Sequence, residues 1–246
     1  MVAERVGGGP AGVPPGASAG NADGAELSPA ARLQILTTEH WSLLATRSMT
    51  WSEAFSRAQM FLSALSGGIV ALALASQAMG FGSGFIVFAL LLLPVLLFLG
   101  LATFVRLVDI NNEDNQWVAG MNILRRAYLD AAPELERYFV SGAYDDEASI
   151  MRTFGATAGS GAFVHGFVTT PGMLAVVDAV LAAVFAGTVA VALKLDTGVV
   201  LGIGVIVFLI SIALLVAYQF RAVVLPWRKY EPRFPAPPEH QGRGEG

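Results

Sequence analysis

The chain has 246 residues, of which 54% are hydrophobic and 14% charged; its net charge is −4 and its mean hydropathy +0.60. Average soluble domains carry about 25% charged residues, so this composition cannot coat a single core with polar groups, and an ordinary soluble enzyme domain is excluded. With no cysteine there are no disulfides, thiolate metal sites or cysteine nucleophiles, and His40, His165 and His240 are too widely spaced for a paired metal motif.

Residues 1–27 are dominated by Gly, Ala, Pro and Ser. They hold too little apolar surface to offset ordering entropy and are expected to form a disordered tail. They also lack the apolar run of a signal peptide. Ser28-Pro29 pairs an N-cap with a proline at the first helical position. A helix to about Ser48 is predicted, with Leu33, Leu36, His40, Leu43, Leu44 and Arg47 on one stripe. Thr50-Trp51-Ser52-Glu53 fits a capping box, which predicts a break near residue 49 and a new helix into the membrane. Residues 28–57 are therefore read as cytoplasmic or interfacial helices.

Four stretches are long and apolar enough to cross a bilayer, which needs about 20 residues: 58–79, 84–105, 172–193 and 198–220. The turns 80–83 and 194–197 are so short that each pair must form a hairpin, spanning 58–105 and 172–220. Between them, 106–171 is read as a cytoplasmic helical segment and linker, with 221–246 as a cytoplasmic tail. Fourteen of the 15 Arg and Lys residues lie in the tails and middle segment and one in the turns, which places both termini in the cytoplasm. Trp51, Trp227 and Tyr230 suit an interfacial aromatic belt on that side. Pro94 falls mid-span, where a kink is expected.

In the middle segment Trp117, Met121, Leu124 and Tyr128 recur at helical spacing, so one helix is expected to run from the bilayer to near Pro133, with a short helix after it. This stripe needs a partner, and the Leu33–Leu44 stripe is the candidate, from the same chain or a neighbour. Residues 154–171 are read as an irregular Gly-rich linker. The predicted fold is all-α: a polytopic membrane protein with four transmembrane helices in two hairpins and a helical cytoplasmic subdomain.

Asp178 is the sharpest chemical signal, about 9 Å inside the third span at helical rise. A carboxylate at that depth costs a few kcal/mol and faces a bundle interior or water. It serves either as a cation or proton site or as a structural contact to Tyr218, Gln219 or Arg221 of the antiparallel fourth span; Gln77 is a further intramembrane polar residue. Small residues recur every fourth position: Ser63, Gly67, Ala71 and Ala75, then Ala175, Ala179, Ala183 and Gly187, then Gly198 and Gly202. Such ridges allow close helix packing, within one bundle or along an oligomer seam. The Leu-rich second span has none and is placed toward lipid. Asp109, Asn112, Glu113 and Gln116 share a helix face that suits either a hard cation or plain solvation. Gly155-x-x-x-Gly159-Ser-Gly161 lacks the Lys-Ser/Thr of a phosphate loop. No catalytic triad order or nucleic-acid-binding patch is present, so no catalytic residue, metal, cofactor or nucleic acid is expected.

The stretches LQILTTEHWSLLATRSMTWSEAFSRAQMFLSALSGGIVALALASQA and LPVLLFLGLATFVRLVDINNEDNQWVAGMNILRRAYL resemble a group of uncharacterised bacterial four-span membrane proteins over residues 33–150. The layout of a cytoplasmic helix, a membrane hairpin and a long exit helix is similar to SLATT effector modules, and implies a pore-forming role; the second hairpin and the missing sensor domain depart from that pattern. The expected function is a non-catalytic membrane protein of the bacterial inner membrane that self-associates or serves as an accessory subunit. Its expected partners are the lipid bilayer and copies of itself or other membrane-protein subunits. The alternative is an oligomeric ion or proton conduit using Asp178.

Overall fold

The computed structural model describes residues 27–154 and 169–237. Among these residues the fold is all-α, without strands. Helix α1 spans Pro29–Met79 and α2 spans Ser83–Ala131. A 3₁₀ turn at Pro133–Tyr138 and a short helix α3, Glu147–Thr153, follow. Then come α4, Thr170–Ala192, and α5, Thr197–Arg228. Four of these helices are long and apolar enough to cross a membrane. The architecture is that of a polytopic membrane protein. The disordered-tail reading of 1–27, the phosphate-loop-like glycines, most of the Gly-rich linker, His165 and His240 fall outside the described residues, Leu27 apart.

The Ser28 hydroxyl accepts the Ala31 amide at 3.2 Å and starts α1. The break expected near residue 49 is absent, and α1 runs unbroken for 51 residues. The side chains of the apparent capping box are engaged elsewhere. The Thr50 hydroxyl donates to the Thr46 carbonyl at 3.0 Å, and the Glu53 carboxylate takes Arg106 and Arg57. Tertiary contacts therefore override the local cap. At 1.5 Å per residue α1 is about 77 Å long, against a hydrocarbon core of about 30 Å, so much of α1 and α2 stands outside the bilayer. The turn between them is made at Gly80, φ 61°, and the turn between α4 and α5 at Lys194, φ 58°. Both turns match their expected positions. The expected short helix after Pro133 is a 3₁₀ turn instead.

Placing the second span toward lipid was wrong. Helix α2 is the hub, packing on α1, α4 and α5. Leu91, Val95 and Phe98 do face outward, but Ala89, Leu93, Leu96, Gly100, Phe104 and Leu107 are buried. A Leu-rich helix supplies knobs as well as a lipid face. Leu96 inserts against Gly68 of α1, where a methyl group would collide with it. The true small-residue contact of α1 thus lies one position from the expected ridge: Ser63 and Gly67 are exposed, and Ala71 and Ala75 half-buried. In α4, Ala175 and Ala179 are fully buried, and Ala183 and Gly187 partly so. A methyl group at Gly198 or Gly202 of α5 would meet nothing within 4 Å, whereas one at Gly204 would meet the Ala183 carbonyl. α2 continues helically through Pro94.

Candidate functional site

Two regions concentrate polar chemistry. The first lies inside the helix bundle. The Thr169 hydroxyl caps α4 by accepting the Gly172 amide at 3.4 Å, and Pro171 follows in the first turn. From there Leu174, Ala175, Asp178, Ala179 and Leu181 form the buried face of α4. Asp178 is 1% exposed, and neither carboxylate oxygen has a hydrogen-bond partner. It rests on Gly100 of α2, beside the Phe61 ring of α1. A methyl group at Gly100 would overlap the Asp178 Oδ1 atom and lie 3.0 Å from Phe61 Cε2.

The expected structural partners on the fourth span do not reach Asp178. Tyr218 is 41% exposed and packs on Phe104, with ring centroids 6.0 Å apart. Gln219 Nε2 donates to Thr169 Oγ1 at 3.4 Å, and Arg221 is exposed. Asp178 lies on the α4 face turned toward α2. Gln77 is exposed near the other end of α1, and the structure does not bring it to the carboxylate.

The second region is the arginine-rich end outside the bilayer. Asp114 of α2 is 1% exposed and carries three hydrogen bonds. Arg47 donates from Nε at 2.6 Å and from Nη2 at 3.1 Å, and Trp51 Nε1 donates at 3.0 Å. Trp51 is therefore tied to a carboxylate. About two turns nearer the membrane along α2, Arg106 bridges Glu53 at 3.0 Å and Glu113 at 2.7 Å. Its hydrogen bonds, with that of Arg57, hold the Glu53 carboxyl well below its ordinary value, at about 2. The two carboxylates in turn hold the Arg106 guanidinium above its ordinary value.

Further out, the α1 stripe meets that of α2 within one chain only in part: Leu36, His40 and Leu43 turn to α2, whereas Leu33 and Leu44 are exposed. The Tyr128 hydroxyl donates to the Leu36 carbonyl at 3.0 Å, His40 stacks on Tyr128 at 5.8 Å, and Leu43 lies against Gly120. Burial, then the Arg125 charge, push the His40 imidazole below its ordinary value. Asn122 is fully buried, donating to the Tyr144 carbonyl and accepting from Arg125 and Thr153.

The C-terminal segment is held by an acidic pair. Asp145, fully buried, accepts the Tyr230 hydroxyl at 2.8 Å and the Arg233 and Phe234 amides at 2.8 and 2.9 Å. Asp146 caps α3 through the Ser149 amide and accepts the Ala236 amide at 2.7 Å. Burial and the Asp145 carboxylate raise the Tyr230 phenol to about 12. Tyr230 thus ties the C-terminal segment to a loop carboxylate.

The Asp109–Gln116 face is divided. Asp109 and Gln116 are exposed, Glu113 pairs with Arg106, and Asn112 donates to the Ala222 carbonyl of α5 at 2.9 Å. Among the described residues no three acidic or histidine side chains are grouped to hold a metal ion. Asp114, Asn122, Asp145 and Asp146 escaped the sequence reading. A signal for Asp114 existed: it is a lone acid within the helical apolar series Leu107, Ile110, Val118 and Met121. Asp146-x-x-Ser149 is a helix N-cap pattern that would have placed α3.

Comparison with protein-family models, with curated proteins and with solved structures gives no match.

Proposed function

We propose that this chain is a non-catalytic bacterial inner-membrane protein, with both termini in the cytoplasm, that self-associates or serves as a scaffold subunit of a membrane complex. One observation carries the reading. The part of α1 outside the bilayer exposes Leu33, Ile35, Trp41, Leu44 and Met49, with Trp41 at 67% and Met49 at 73%. Large apolar side chains left exposed on a water-facing helix mark interaction surfaces; by helical spacing Leu33, Trp41 and Leu44 share one face, and Ile35 and Met49 another. Meanwhile Arg47, Arg106, Asp114, Asn122 and Asp145 are engaged in internal contacts. Purification in mild detergent, blue-native electrophoresis and mass identification of accompanying chains test the reading. A complex larger than one chain is expected; a strictly monomeric particle overturns it.

A second reading rests on Asp178. A fully buried carboxylate without a hydrogen bond is costly and rare unless it serves a function. In this reading Asp178 takes up a proton or small cation in an oligomeric conduit. Proteoliposome flux with Asp178→Asn tests it: flux lost in the variant supports the conduit, and flux unchanged removes it.

A further inference from the structure

From the structure we infer that two co-oriented copies of this chain pair along one face of α1, a seam that runs from the arginine-rich end into the bilayer; this rests on the self-association reading above. The face is defined by helical spacing. Leu33, Thr37, Trp41, Leu44, Ser48 and Ser52 succeed one another at steps of four, four, three, four and four residues, and Phe55 continues them. All seven are exposed. Leu33, Leu44 and Phe55 repeat every eleven residues, a period near that of a straight helix, so the stripe runs almost parallel to the axis. It continues into the bilayer through Leu62, Ser66 and Val70, also exposed.

The information lies in the part outside the membrane, where nothing compels a helix face to be uncharged. The charged residues of α1 point elsewhere. Arg47 turns to Asp114, Glu53 to Arg106 and Arg57 to Glu53. Arg32 and Glu39 lie on the far side of the helix by the same spacing. The outer face keeps no ionised group over its whole length.

Two arguments select a second copy as the occupant. In a parallel two-fold pair each residue meets its own equivalent, so any charge would face a like charge. A charge-free face suits such self-pairing, whereas a different partner would be recognised by complementary charges. The stripe also crosses from water into hydrocarbon without interruption. A partner covering it must offer a rigid helix continuous through the same boundary, and α1 of a second copy, held in the same orientation by the same bilayer, is such a helix. The eleven-residue repeat predicts a slightly right-handed crossing.

The chain has no cysteine, so single-cysteine variants of the full-length protein report position directly. Thr37→Cys, Ser48→Cys and Ser52→Cys lie on the stripe. Ile35→Cys, Ser42→Cys and Met49→Cys are also exposed and lie on a different face by the same spacing. In native membranes treated with a short bismaleimide, the stripe variants are expected to give covalent dimer about tenfold faster than the controls, because pairing raises the local thiol concentration. Dimer formed through the control positions instead removes this seam and leaves self-association standing. Stripe cysteines joined to a different polypeptide also remove it and leave the scaffold-subunit reading. No dimer at any position, with monomer on blue-native gels, removes both the seam and self-association.

Discussion

Asp178 of α4 lies directly against Gly100 of α2, and it does so without a hydrogen bond to either carboxylate oxygen. The glycine makes room for the carboxylate, so the two positions are energetically coupled. Gly100→Ala is expected to destabilise by about 2 kcal/mol through overpacking. Asp178→Ala is expected to be neutral or to stabilise by about 1 kcal/mol, because an unsatisfied polar group is removed. In the double variant the Gly100→Ala penalty should largely vanish. Thermal unfolding of the four proteins in one detergent measures the coupling, and additive single effects would show that the contact does not govern either site.

Asp114 joins α1 to α2 through Arg47 and Trp51. Asp114→Ala is expected to cost about 3 kcal/mol, at the lower end for a broken buried pair, since Arg47 is 27% exposed and can rehydrate. Trp51→Phe loses one hydrogen bond and should cost about 1 kcal/mol. Melting temperatures ranked wild type, Trp51→Phe, Asp114→Ala check the order.

Two groups give separate pH windows. His40 is held neutral by burial and Arg125, so its folded-state value lies below the ordinary 6.5. The stability it contributes is present above pH 6.5 and falls as the pH drops through its lowered value. Glu53 is depressed from 4.5 to about 2, so its contribution is complete above 4.5 and is lost on descent toward 2. His40→Phe, which keeps a ring against Tyr128, should flatten the upper window alone. Glu53→Gln should flatten the lower one. Melting temperature against pH for the three proteins reads both.

Asp145 gathers the C-terminal segment through Tyr230, Arg233 and Phe234. Asp145→Ala should release it. Tryptic cleavage after Lys229 and Arg233 is expected to accelerate about tenfold, the equivalent of 1.4 kcal/mol in local opening. Tyr230→Phe, which keeps both amide contacts, should accelerate it by less. Equal cleavage rates in all three proteins would show that the acidic pair does not hold the segment.

The spans, the two hairpins and the all-α class were legible in the sequence, because long apolar runs bounded by short polar turns leave a bilayer few arrangements. The turns at Gly80 and Lys194 stand where the short polar breaks between spans put them. So does most of the docked stripe of α1, Leu33 and Leu44 apart, since helical periodicity carries the face as well as the helix. What the sequence could not decide was which face of each span meets which neighbour. In lipid an outward Leu and a buried Leu have the same surroundings, so the central position of α2 left no compositional trace. For the same reason Gly68, rather than Gly67, became the close contact. Tertiary pairing alone turned Asp178 toward Gly100 instead of Tyr218 or Gln219, drew Glu53 out of a capping box, and set Asp145 against the C-terminal segment. Each of these choices depends on where a second helix or segment lies, information that one helix's own residues do not contain.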